Sequence, residues 1–534
     1  MDIVKKKKPI VLVILDGWGE WDIEKGNPFF RAKLPLIAEL NNHCPKVYLQ
    51  ASGMAVGLPW GVRGNSEVGH QTIGSGQILF QFLPTITAAI GEGSFFKNQA
   101  LINAFNWSLK NNSNLHVLGL LSDGAVHSHI EHLFALLEMA KKYKVKEVFI
   151  HVITDGRDSH PQSAKKYLIL LENKIREIGI GKIATLSGRF FIMDRNNNWD
   201  RVEKSFLALT AGIGIKEINA HEAIDNQYAR GIFDEYLEPV ILTGEDGQPV
   251  GLIKNNDAII CYNFRKDRSR QITKAFVTPD FKEFKQAKVP VNIKYVGFAS
   301  YEENSPAEAA FQQQEITVRL GEVLAKNWKR QLRIAETEKY AHVTYFFNGG
   351  MEEPFLYEDR ILIPSKQVKT YADAPEMSAA EITDKLIEAM KNNYDFILVN
   401  YANSDMVGHT GNYNAAVQAL EYMDGCLEKL IKAVFAKGGE LIITADHGNV
   451  EEMLNVYNGE PDTQHSKNVV PCWYVSQDNQ LKKQESMKKI EAGGLLIDLA
   501  PTVLDLLDME KPPQMIGSSL IRQFKKVTPE EDEE

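Results

Sequence analysis

Short β-branched runs that end in aspartate or a polar cluster recur along this chain, and they constrain its fold more than any other feature. IVLVILD, LHVLGLLSD, EVFIHVITD, KIATLSG, AIICYNF, HVTYFFNGG, DFILVNY and ELIITAD alternate with helical patterns. That alternation predicts an α/β fold with mainly parallel sheets. Ligands of such sheets gather outside the carboxyl ends of the strands, so the chemistry is expected there. At 534 residues, 44% of them hydrophobic, the chain has length and apolar material for two cores. Residues 78–95 and 300–315 read as connections between domains. Reactive-looking residues fall before residue 80 and again between 405 and 465. If those two sets build one site, the middle of the chain is a domain inserted into the first.

Charge narrows the partners. A formal net charge of −10 argues against nucleic acid or an acidic membrane surface. An anionic substrate would need a local cluster of arginine and lysine. Cys44, Cys261, Cys426 and Cys472 are far apart and form no CxxC pair, which suits a reducing cytosol and predicts neither a disulfide framework nor a thiolate metal site. Lys5 to Lys8 followed by PIVLVIL resembles a secretory leader only superficially. The apolar run is about seven residues, ends at Asp16 and lacks a small-residue cleavage site, so it reads as a first β-strand. No apolar stretch reaches the ~20 residues that span a bilayer. The terminal TPEEDEE reads as a solvated tail.

Three strand-to-loop junctions carry acidic or imidazole groups: Asp16 in VILDGWG, Asp405 and His409 in NSDMVGH, and Asp446 and His447 in TADHGN, followed by His465. Asp405 and His409 are four apart and share a face on a helical turn, where they can grip one cation. Asp446 and His447 are adjacent, and at a strand end such a pair can serve one metal or straddle two. Carboxylate with imidazole and no thiolate suits Mn²⁺ or Zn²⁺ better than Mg²⁺. Each piece alone has a plain alternative, a core histidine or a helix-capping aspartate.

GVRGNSEVGHQTIG places Ser66 after a glycine-rich turn at a helix start. Taken alone, a serine followed by Glu67 reads as a cap. The nucleophile reading needs an activating group, and a divalent metal on Oγ would serve. A helix N-terminus also favours an incoming phosphate. The middle segment holds His127 in SDGAVHSH, Arg157 and Asp158 in TDGRDSH, Arg189 and Arg195 in SGRFFIMDR, and Arg265 and Arg268 in NFRKDRSRQ. The spacing of three is expected to set Arg265 and Arg268 on one helical face. Arginine binds phosphate and carboxylate bidentately, although a scattered arginine more often forms a surface ion pair.

GNSEVGH, TDGRDS, NFRKDR, AETEKYAHVTYFFNGG and TADHGN, in this order and spacing, resemble the 2,3-bisphosphoglycerate-independent phosphoglycerate mutases from about residue 9 to about 520. The resemblance implies an alkaline phosphatase-like metal-binding domain (1–80 and 315–534) interrupted by an inserted α/β phosphotransferase domain (81–314). It implies two divalent ions, with Mn²⁺ favoured over Mg²⁺, Zn²⁺ or Co²⁺, and no 2,3-bisphosphoglycerate. Asp405, His409 and His465 would hold one ion; Asp16, Ser66, Asp446 and His447 the other. His127, Arg157, Asp158, Arg189, Arg195, Arg265, Arg268 and Lys339 would contact 3-phosphoglycerate and 2-phosphoglycerate. Lys339 in AETEKY would otherwise read as an exposed helix lysine. Ser66 would carry a phosphoserine, with Asp158 and His127 serving catalysis in a cytoplasmic monomer whose two domains close over the intermediate. A phosphomonoesterase or a phosphopentomutase of the same superfamily is the alternative.

Overall fold

The computed structural model describes residues 8–285, 288–456, 458–478 and 490–526. The acidic tail and Lys5 to Lys7 lie outside them. Two compact units emerge: one takes the chain up to Phe80 and from Gln314 onward, the other runs Gln81–Gln313.

In the first unit the strands order as Glu358–Ile363, Gln331–Glu336, Phe396–Tyr401, Ile10–Leu15, Glu440–Thr444, Val470–Val475, Lys46–Gln50 and Ala492–Leu495. The first five run parallel, and Val470–Val475 is antiparallel to both of its neighbours. Ile10–Leu15 is buried along its whole length between Phe396–Tyr401 and Glu440–Thr444. Its unbroken apolar run suits an interior parallel strand covered on both faces. Helix Tyr413–Ala436 turns Leu420, Leu427, Leu430 and Val434 into the same core.

The second unit orders Glu308–Ala309, Lys294–Gly297, Ala258–Cys261, Leu115–Leu120, Val148–Thr154, Lys182–Gly188, Val240–Leu242 and Ile215–Glu217, with only the Lys182–Gly188 and Val240–Leu242 pairing antiparallel. Strand alternation divides its core. Leu115 and Val117 join one cluster while Leu118 and Leu120 join the other, so both faces are covered. Among the described residues no helix is long and apolar enough to cross a membrane.

Three local expectations are corrected. HVTYFF is not a strand: His342–Phe346 is a π-helical turn continuing helix Thr337–Ala341. Its apolar residues are there to bury, as Val343 and Phe347 do in the core, and that need is met by a helix as well as by a strand. Residues 78–95 are more than a connection. Helix Phe82–Glu92 packs Phe82, Leu83, Ile86 and Ile90 on the second unit's core at helical spacing, so the change of unit falls between Phe80 and Gln81. Within 300–315, Glu308–Ala309 adds an edge strand and Phe311 packs beneath it.

Candidate active site

Four adjacent parallel strands of the first unit deliver the expected groups at their carboxyl ends. Asp16 follows Ile10–Leu15, and Asp405 lies in helix Asn403–Gly408 just after Phe396–Tyr401. Asp446 and His447 follow Glu440–Thr444, and Lys339 sits in helix Thr337–Ala341 directly after Gln331–Glu336. Two glycines allow the close approach. A Cβ on Gly17, whose φ is +74°, would come 2.7 Å from Asp405 Cα, and one on Gly69 would come 2.7 Å from the Asp446 carbonyl oxygen.

Ser66 is the first residue of helix Ser66–Ser75, but it is not the cap. Asn65 takes that place and accepts from the Val68 amide at 3.0 Å. The Ser66 hydroxyl is therefore free for other contacts: Oγ lies 3.1 Å from Asp16 Oδ1, 2.9 Å from His447 Nε2 and 2.8 Å from Lys339 Nζ. Lys339 is 3% exposed rather than on the helix surface, and it donates to Asp16 and Asp405 at 2.6 Å each.

The second focus is Asp405 Oδ1, which lies 3.2 Å from both His409 Nε2 and His465 Nε2. His409 Nδ1 is 2.7 Å from the Thr463 carbonyl and His465 Nδ1 2.8 Å from that of Gly64. Those bonds place the ring protons on Nδ1, so two imidazole lone pairs and a carboxylate oxygen converge, with the two Nε2 atoms 3.1 Å apart. A cation fits where three acceptors meet. Asp405, His447 and His465 form one cluster of possible metal ligands, and Asp16, Asp446 and His447 another. Buried Asp446 Oδ2 accepts no hydrogen bond; His70 Nδ1 is 3.1 Å away but donates to the Ser66 carbonyl. That orphaned oxygen is a further mark of a site built for a cation.

Electrostatics follow from the crowding. Burial pushes Asp16 and Asp405 upward, but the Lys339 ammonium and the neighbouring imidazoles hold both below the usual carboxylate range. Burial lowers His447, yet the carboxylates of Asp446, Asp405 and Asp16 raise it to about 10, the charge preference of a site that wants a cation. Lys339 is raised by the same carboxylates against its own desolvation.

The second unit gathers the other predicted residues. His127, Asp158, Arg189 and Arg265 follow the carboxyl ends of Leu115–Leu120, Val148–Thr154, Lys182–Gly188 and Ala258–Cys261, which are neighbours in the sheet. Buried Arg189 donates from Nη1 to Asp155 Oδ1 and Asp158 Oδ2 at 2.5 Å each. His127 Nε2 lies 3.8 Å from Asp158 Oδ2. Arg195 and Arg265 both hold Asp267, at 2.9 and 3.1 Å. Arg157 is the most open, its side chain 55% exposed and 3.7 Å from Glu235. Burial and the guanidiniums of Arg189, Arg195 and Arg157 lower the Arg268 pKa, so these four stand within each other's field. Burial and Arg189 push His127 down to about 4, which keeps it neutral at physiological pH. Arg265 is the N-cap of helix Lys266–Val277, not part of it, so the shared-face argument does not hold for the Arg265 and Arg268 pair.

Some neighbours escaped the sequence reading. Asp155 accepts from Ser122 at 2.7 Å as well as from Arg189. Asn400 donates to Asp16 Oδ2 at 2.7 Å and lies 3.1 Å from His70, while Asn449 donates to Asp405 Oδ1 at 2.8 Å. His70 and Asn449 stand inside the GNSEVGH and TADHGN motifs, which was the one signal available.

Carboxylates, imidazoles and a buried serine hydroxyl beside the ends of parallel strands define a class of α/β enzyme that gathers possible metal ligands at one end of its sheet. Residues 86–303 match the family model of the BPG-independent PGAM N-terminus. A 2,3-bisphosphoglycerate-independent phosphoglycerate mutase of Lachnoclostridium phytofermentans is 47% identical over 96% of this chain and 99% of its own. One of Clostridioides difficile is 49% identical, again over 96% and 99%. A crystal structure of Leishmania mexicana phosphoglycerate mutase at low cobalt concentration matches with a TM-score of 0.55 and 30% identity, covering 96% of this chain and 97% of that one. The chain belongs to the 2,3-bisphosphoglycerate-independent phosphoglycerate mutase family.

Proposed function

We propose that the protein interconverts 3-phosphoglycerate and 2-phosphoglycerate, without 2,3-bisphosphoglycerate, through a phosphoserine on Ser66. The observation that carries this reading is the Ser66 hydroxyl, spared from helix capping and set 2.8 Å from Lys339 Nζ beside Asp16 and His447. Asp405, His409 and His465 are assigned to one divalent cation, and Asp16, Ser66, Asp446 and His447 to a second. The donor set favours Mn²⁺. Such cations, when bound, supply Lewis-acid charge that lowers the serine pKa and offsets phosphoryl charge.

The chain's own residues divide the remaining work. Ser66 Oγ attacks phosphorus in line; its bond to phosphorus forms as the bond from phosphorus to glycerate O3 breaks. The Ser66 proton leaves to solvent before the attack, and O3 takes one from Asp158 in its protonated form. Arg157, Arg189, Arg195, Arg265 and Arg268 hold the glycerate through its carboxylate while it turns. Its 2-hydroxyl then returns a proton to Asp158 as phosphorus moves to O2 and Ser66 regains its own. Neutral His127 orients the phosphoryl group without adding charge. Lys339 meets the charge that develops on Ser66 Oγ. The setting assigned to this activity is glycolysis and gluconeogenesis in the cytoplasm, by a monomer.

Ser66→Ala tests the proposal. The variant is expected to keep its fold and lose mutase turnover by several orders of magnitude, measured as 2-phosphoglycerate formed from 3-phosphoglycerate. Retention of more than a few per cent rules out the covalent route, and free phosphate as the wild-type product rules in a phosphomonoesterase.

A further inference from the structure

One buried carboxylate outside both proposed ligand sets ties their loops together. Glu451, fully buried, follows His447 by four residues. Its Oε2 accepts from the Gly19 amide at 3.0 Å and from the Asn449 amide at 2.9 Å. Its Oε1 accepts from the Ser466 hydroxyl and, at 3.0 Å, from Asn468 Nδ2. Gly19 lies three residues past Asp16, Asn449 two past His447, and Ser466 directly after His465. One carboxylate thus reaches every segment that delivers those three groups, and all four of its donors are neutral.

The surrounding backbone is shaped around it. A Cβ on Gly19 or on Gly448 would overlap the Glu451 carboxylate, and one on Gly448 would also overlap Ser466 Oγ. Main-chain bonds then close the ring: the Val450 amide donates to the Gly17 carbonyl at 3.1 Å and the Ser466 amide to that of Gly448 at 2.8 Å. A buried anion costs free energy unless every lone pair is used, and here the donors that satisfy it are the loops themselves. Groups outside the coordination sphere orient ligands in this way in metal sites.

We propose that Glu451 is a positioning residue of the metal centre, holding the Asp16, His447 and His465 segments in one arrangement. The inference rests on the metal-centre reading given above. Glu451→Gln keeps size and shape but leaves a single accepting oxygen. The two main-chain amides cannot turn away, so that oxygen faces them, and an NH₂ group meets Ser466 and Asn468. The charge-assisted bond that steadies the His465 segment is then replaced by a weaker neutral one, with the Ser466 hydroxyl turned to accept, and Asn468 Nδ2 loses this acceptor.

Mn²⁺ binding to the full-length, chelator-stripped protein, followed by titration calorimetry, tests it alongside thermal unfolding of the metal-free form. Affinity in Glu451→Gln is expected to fall by about 10- to 100-fold. Ser466→Ala, which removes one donor and no charge, gives the same measurement with a several-fold loss if the first variant fails to fold. Unchanged Mn²⁺ affinity in a folded variant, with or without a lower melting temperature, overturns the inference and leaves Glu451 a purely structural residue. Wild-type protein that binds no Mn²⁺ overturns the metal-centre reading and this inference together.

Discussion

Replacing Lys339 with methionine removes one buried ammonium and keeps most of its stem. The Nζ lies 2.6 Å from Asp16 Oδ1 and from Asp405 Oδ2, and 2.8 Å from Ser66 Oγ. Asp16 and Asp405 are themselves buried, at 0% and 2% exposure, so water does not replace the lost charge. Removing one partner of a buried ion pair costs about 3–5 kcal/mol. A lysine paired on an exposed helix surface contributes about 0–1 kcal/mol. The two placements of Lys339 therefore predict different results. Five of the seven tryptophans (Trp18, Trp21, Trp60, Trp328 and Trp473) lie in the first unit, so urea unfolding followed by their fluorescence reports on it. In the presence of EDTA, Lys339→Met is expected to lose about 3–5 kcal/mol. Added Mn²⁺ should stabilise the variant more than the wild type, because a bound cation meets carboxylates left without a counter-charge. A loss below about 1 kcal/mol would refute the buried-pair reasoning.

Removal of divalent ions with EDTA should abolish mutase turnover and Mn²⁺ should restore it; full activity in rigorously metal-free protein would contradict the assignment of ligands. Arg189→Lys replaces a guanidinium shared by Asp155 and Asp158 with a point charge. It should raise KM for phosphoglycerate about tenfold or more in steady-state assays, the worth of one charge-assisted bond of ~1.5–3 kcal/mol. Burial lowers His127 to about 4 and His132 to about 3. Below pH ~6.5 the unfolded chain therefore binds protons that the folded second unit refuses, and stability should fall as pH drops from ~6.5 through 4 and toward 3. Replacing both histidines with glutamine should reduce the slope across that window in pH-dependent denaturation curves, the remainder being carried by His116 and His151, which burial also lowers.

The α/β class and the strand ends bearing Asp16, Asp405 and Asp446 were legible in the sequence because they depend on local pattern. An apolar run closed by an aspartate carries its own signal. The same reasoning misled at HVTYFF, where β-branched and aromatic residues report burial rather than strand geometry. It also misled at Arg265, where a boundary shift of one residue took the side chain off the helix. Lys339 was beyond local reading altogether, since its carboxylate partners stand 323 and 66 positions away. Asn400, Asn449 and Asp155 share that difficulty. Their purpose lies in what they touch, and small polar residues near strand ends have many other uses.

Ile10–Leu15 has a consequence for the newborn chain. Its two neighbours in the sheet, Phe396–Tyr401 and Glu440–Thr444, come from the far end of the polypeptide. A ribosome adding about 5–20 residues per second releases that apolar hexapeptide roughly twenty seconds to a minute and a half before Glu440–Thr444 exists to cover it. The segment Gln81–Gln313 is contiguous and can collapse in the meantime. Expression at high rate or elevated temperature should thus expose the unpaired strand to other nascent chains, making chaperone supply the variable that decides soluble yield.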